Sequence, residues 1–221
     1  MMMRWELLQI ADSAFPTGGF GHSGGLEAAA AHGRARTEED LGAYVGEHLW
    51  NVGWASLPFV TAAFNAPGEV WALDAWNDAA ITSHVANRAS RTQGRTFLAT
   101  CARIFDEPPL AAMAARARTR DVSAHLGPVF GASLASLGAT RHEAQALYLY
   151  VALRGVVSAA VRLGLVGPHQ AQRLLRSHGR TLDAVLAACA SLKPDEAATA
   201  SPVLDLMGAT HDRLYARLFQ S

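Results

Sequence analysis

The sequence holds a single lysine, Lys193, among its 19 basic residues. A phosphate-binding P-loop needs GxxxxGK followed by Ser or Thr, and the residue after this lysine is Pro194. A nucleoside triphosphatase of that type is therefore excluded. Cysteine is nearly as scarce. Cys101 and Cys189 lie far apart, with no CxxC and no metal-ligand spacing, and read as reduced core thiols of a cytoplasmic protein. Neither sign of charge is in excess, with 19 basic against 19 acidic residues, so the basic field that a nucleic-acid partner requires is missing. Sustained Val/Ile/Thr alternation is missing too, which argues against a sheet. The most apolar stretch, ALYLYVALRGVVSAAVRLGLVG, is broken by Arg154 and Arg162 before it reaches an uninterrupted membrane span and reads as a central buried helix. The opening MMMRWELLQIAD is interrupted by Glu6 and Asp12 and does not read as a secretory signal.

What remains is helical. Half of the residues are hydrophobic, enough to build a core and to exclude global disorder. Pro and Gly punctuate the chain into segments expected to be helical. These are 3–14, a long helix from the capping box at Thr37 to Phe64, 69–82, 84–106, 110–122, a short helix ending near Ser136, 140–164, 168–189 and 202–218. Pro58 should kink the long helix or begin a second one. The expected fold is an all-α, multi-helix bundle forming one domain over residues 1–221.

Catalytic patterns fail on context. Gly19-Phe20-Gly21-His22-Ser23-Gly24 has the GxGxxG spacing, but no strand precedes it and no βαβ unit surrounds it. It reads better as a glycine-permitted turn or a partner-binding loop. None of the nine histidines forms HExxH or pairs with a cysteine at ligand spacing. A transient or interfacial metal contact by one or two of them stays open. Asp12, Ser13 and His22 make only a weak hydrolytic constellation, and no GxSxG elbow is present.

Two features point to binding. His84, Arg88, Arg91 and Arg95 recur at i, i+4, i+7 and i+11, on one helix face. They form either a solvated stripe with local ion pairs or a surface for an acidic partner. The tail HDRLYARLFQS places Leu214 and Leu218 one turn apart beside Tyr215 and Phe219, with Arg213 and Arg217 as a second pair. An apolar, aromatic tail is either docked on its own domain or offered to a partner.

Taken in order, LLQIADSAFPTGGFGHSGGLEAA, ASRTQGRTFL, HLGPVFG, RLGLVG with Gln172 downstream, and HDRLYARLFQS resemble the urease accessory protein UreF family along essentially the whole chain. The resemblance implies a non-catalytic, helical, dimer-forming co-chaperone for nickel insertion, with no cofactor of its own. It would bind a UreD/UreH-type accessory protein, recruit or regulate a UreG-type GTPase, and engage apo-urease. The implied partner-binding residues fall in three groups. Gly18, Gly19, His22 and Glu27 match the loop signature. Arg88, Ser90, Gln93, Gly94 and Arg95 match the central motif, with Arg91 on the same face. Asp205, His211, Leu214, Arg217, Leu218, Phe219 and Ser221 match the terminal motif, with Tyr215 beside them.

Overall fold

The computed structural model describes residues 5–119 and 121–221, and the described residues contain helices and no strand. The chain opens with α1 (Trp5–Ala11) and, after a glycine-rich loop, α2 (Leu26–Ala31). Next come α3 (Glu38–Ala55), α4 (Leu57–Asn65), α5 (Val70–Ala80) and α6 (His84–Ile104). The second half holds α7 (Pro108–Arg118), α8 (Leu126–Ser136), α9 (Arg141–Arg162), α10 (Pro168–Ser177), α11 (Gly179–Cys189) and α12 (Pro202–Ala209).

The helix ends follow local chemistry. Thr37 Oγ1 accepts from the Asp40 amide at 3.0 Å while the Asp40 carboxylate accepts from the Thr37 amide at 3.0 Å, closing the expected capping box. Thr140 and Glu143 close a second one at the start of α9. Pro58 stands in the first turn of α4 and so begins a helix, the break falling at Ser56.

α9 is the central helix. By length and composition it could cross a membrane. Here Leu149, Leu153, Val156 and Val157 are buried against the rest of the bundle. Rings from three helices pack through the core, one pair stacked and the next edge-to-face. Phe97 of α6 lies 5.0 Å from Phe130 of α8, which lies 5.2 Å from Tyr148 of α9. α4 and α8 approach backbone to backbone. A Cβ on Gly131 would sit 2.1 Å from the Val60 carbonyl oxygen, so only glycine fits.

Two expected helices differ. Residues 168–189 are divided at His178 into α10 and α11. The segment 202–218 stops being α-helical after Ala209 and continues as a 3-10 turn, His211–Arg213, followed by irregular chain. Leu214 and Leu218 therefore do not stack one turn apart. The tail amides bond to distant acceptors in place of carbonyls one turn back. The start of the expected 3–14 helix and Arg120 of the 110–122 helix lie outside the described residues.

Candidate partner-docking site

The glycine-rich loop and the tail lie against each other. Gly18 takes a left-handed φ of 76°, and Gly19–Gly21 form a 3-10 turn. The loop is fastened from three helices: Tyr44 Oη of α3 donates to the Gly24 carbonyl at 2.7 Å, Thr100 Oγ1 of α6 donates to the Pro16 carbonyl at 2.8 Å, and Arg162 of α9 donates to the Phe20 carbonyl. The tail then pairs with it. The Gln220 amide donates to the Gly21 carbonyl at 2.8 Å, and the Ser23 amide donates to the Ser221 carbonyl at 2.7 Å. His22 Nδ1 and Ser221 Oγ lie 2.5 Å apart.

Glu27 is the hub. It sits in the first turn of α2 and is buried. Its carboxylate accepts from the Leu218 amide at 2.6 Å and the Phe219 amide at 3.1 Å, and pairs with His211 Nε2 at 2.8 Å. A buried carboxylate is tolerated because its lone pairs are filled. Arg162 adds a cation–π clamp: its guanidinium lies 3.9 Å from the Phe20 ring centroid and 4.3 Å from that of Phe219. Burial lowers the pKa of His22, helped by the positive Arg88 and by His211, and so favours a neutral ring.

Arg88 joins this site from α6. It grips Asp212 with both terminal nitrogens, at 2.8 and 3.1 Å, while His84 and Arg217 approach the same carboxylate at 3.3 Å each. The rest of the central motif serves a different purpose. Arg91 pairs with Asp78 at 2.5 Å, and Arg95 donates to the carbonyls of Ala117 and Val122. Ser90 Oγ accepts from the Leu126 amide at 3.2 Å. A Cβ on Gly94 would lie 2.0 Å from the Ala124 carbonyl oxygen. Arg95, Ser90 and Gly94 hold the α7–α8 connection to α6, Arg91 ties α6 to α5, and the far side of the connection is closed by Asp74, which accepts from the amides of Ala124 and His125.

The tail is thus anchored at His211, Phe219 and Ser221, all buried, and bulges outward between them. Tyr215 is fully exposed and Leu218 is 62% exposed, while Leu214 is half-buried. Asp205 of α12 lies apart from these anchors, accepting from Asn51 at 3.1 Å and Thr199 at 3.2 Å. Behind loop and tail is a cavity of about 660 Å³, walled by Phe15, His22, His48, Gln93, Phe130 and Tyr148 among others. Among the described residues no three His, Cys, Asp or Glu side chains converge as metal ligands. Sequence reasoning missed Asp212, Phe20 and Arg162. Asp212 lay in plain view inside the terminal motif, whereas Arg162 was noticed only as an interruption of an apolar run.

The model of the family described as UreF matches residues 35–179, which include α6 and its arginine motif. The chain belongs to the UreF family. It is 37% identical to urease accessory protein F of Arabidopsis thaliana, over 99% of this chain and 93% of that protein. It is 34% identical to urease accessory protein F of Oryza sativa subsp. indica, over 97% and 84%, and 30% identical to urease accessory protein UreF of Arthrobacter sp. (strain FB24), over 97% and 96%. These alignments run nearly end to end, although the glycine loop and tail lie outside the stretch that the family model matches. As a UreF-family urease accessory protein, the chain is an accessory to urease and not itself a catalyst.

Proposed function

We propose that this UreF-family protein is the scaffold for nickel insertion into apo-urease. It works as one domain over residues 1–221, as a homodimer in the cytoplasm. The tail bulge docks a UreD/UreH-type accessory protein. The pair then recruits or regulates a UreG-type GTPase, which supplies the phosphate chemistry that this chain lacks. Nickel is the cargo.

The supporting observation is the anchored tail. Exposed aromatic and aliphatic side chains cost solvation and contribute nothing to the core, yet Tyr215 and Leu218 are held outward by a frame of buried hydrogen bonds. A preorganised aromatic anchor loses little entropy on binding and suits an interface centre. The loop residues Gly18, Gly19, His22 and Glu27 and the tail residues His211, Phe219 and Ser221 act by holding this surface. Arg88 and Arg217 act through Asp212. Ser90, Arg91, Gln93, Gly94, Arg95 and Asp205 support the platform beneath.

The test is co-purification of purified full-length protein with the UreD/UreH-type partner. The double variant Tyr215→Ala/Leu218→Ala should lower affinity by roughly a thousandfold, the scale of two hot-spot side chains at about 2 kcal/mol each, with an unchanged helical spectrum and melting point. Wild-type affinity in the double variant would refute this assignment of the surface.

A further inference from the structure

The spacing that drew attention to α6 occurs a second time. His169, Arg173, Arg176 and Arg180 stand at i, i+4, i+7 and i+11 along α10 and into α11. The two stripes are in opposite states. On α6, His84 and Arg88 meet Asp212, Arg91 meets Asp78, and Arg95 is spent on backbone carbonyls. On α10–α11 all four residues are exposed, and none of their side chains makes an ion pair or hydrogen bond with a described residue. Asp183, one turn beyond Arg180, does not pair with it.

We propose that the outer face of α10 and the start of α11 docks an acidic protein segment whose carboxylates recur at about one helical turn. The part of the stripe on α10, His169 to Arg176, runs about 10 Å at 1.5 Å of rise per residue, and Arg180 follows in the first turn of α11. Its side chains are arginines, whose planar forks grip carboxylates with two bonds each. The arrangement is costly to the isolated chain. Cations one turn apart repel. The first turn of α10 carries His169 and no acidic residue, against the preference of the helix dipole. Local rules broken without internal compensation are expected where a site is.

The break within the stripe is also fixed in place. Across the α10–α11 break, the ring nitrogens of buried His178 lie 2.9 Å from the Leu174 carbonyl oxygen and 3.0 Å from that of Gly42 on α3. Ala171 and Leu174 bury the opposite face of α10.

The zero net charge and the small number of cations favour a protein over a polyanion, since nucleic acid rewards a long basic field. A second copy of this chain fits poorly: among the described residues no helix exposes carboxylates at the matching repeat. The occupant is a different, acidic protein. The inference stands apart from the tail surface proposed above.

Full-length protein is titrated by fluorescence anisotropy with a labelled synthetic helical peptide bearing glutamates at i, i+4, i+7 and i+11. A scrambled peptide of the same composition, a DNA duplex and phosphatidylserine vesicles are run in parallel. The matched peptide should bind best, more weakly at high salt. Both Arg173→Glu/Arg176→Glu/Arg180→Glu and the milder triple Gln variant should lose roughly tenfold or more in affinity, and Tyr215→Ala/Leu218→Ala should lose none. The Gln variant keeps the test open should charge reversal disturb the helix. Equal binding of the scrambled peptide, preference for DNA or vesicles, or wild-type affinity in the Gln variant would each overturn the proposal.

Discussion

At the scale of single residues, Glu27 decides whether the tail stays home. Three donors converge on one buried carboxylate: His211 and the amides of Leu218 and Phe219. Glu27→Ala removes the acceptor and leaves the donors buried, at about 1–3 kcal/mol for each that finds no water. We expect a loss of about 3 kcal/mol or more in urea unfolding, and a smaller loss for Glu27→Gln, which keeps one good acceptor oxygen. An unchanged unfolding midpoint for Glu27→Ala would show that the tail does not depend on this carboxylate. His48 gives a pH prediction. Its ring is half-buried, stacked on Tyr44 and facing the cavity. Burial lowers its pKa from 6.5 to about 4. Between those values the unfolded chain holds a proton that the folded chain does not, so stability rises with pH. It is complete above about pH 6.5, falls as the solution is acidified, and this contribution stops changing below about pH 4. The loss is on the order of 3 kcal/mol at 1.36 kcal/mol per unit. His48→Gln should flatten that part of the stability profile, and a profile of unchanged slope would remove His48 as its source.

At the scale of elements, the sequence made some boundaries plain and concealed others for a definite reason. Thr37 and Asp40 close their own cap within four residues, so the start of α3 was readable from letters alone. Pro58 and Gly167-Pro168 mark the starts of α4 and α10 just as locally. The tail looked helical because leucines one turn apart satisfy the pattern. Its true acceptors are on α2 and in the glycine loop, roughly 190 positions away in the chain, where periodicity cannot see them. The α6 arginines show the same limit: spacing placed them on a helix face but could not say that Asp78, Asp212 and two carbonyls already occupied it. Gly94 carries the sharpest prediction at this scale. Gly94→Ala puts a methyl group 2.0 Å from the Ala124 carbonyl oxygen, and Ala124 itself has a left-handed φ of 57°. The obstacle is backbone and cannot rotate away, so the cost should reach about 3 kcal/mol, the upper end for overpacking. This would outweigh the gain of roughly 1 kcal/mol that alanine normally brings inside a helix. A melting point at or above wild type would mean that the connection to α8 yields more readily than its hydrogen bonds suggest.

At the scale of the whole molecule, the tail both belongs to the fold and presents a surface, and the two roles separate by experiment. Deleting residues 211–221 strips Phe219 from Arg162, leaves Glu27, His22 and Ser23 without their tail partners, frees Arg88, and opens the cavity behind the loop. Burial of Phe219 alone is worth about 1.5–3 kcal/mol, and the orphaned buried polar groups add to that. At about 2–4 °C per kcal/mol for a chain of this size, the truncated protein should melt on the order of 10 °C lower in calorimetry. Tyr215→Ala/Leu218→Ala touches none of those anchors and should melt within about 2 °C of wild type, because exposed side chains rarely matter to stability. If the truncated chain melts like the intact one, the anchors observed here contribute no net stability, and the tail is an appendage. If both variants lose partner binding but only the truncation loses stability, the binding defect of the double variant must come from the missing contacts themselves. Truncation by itself cannot give that answer, because it removes the frame together with the side chains that the frame presents.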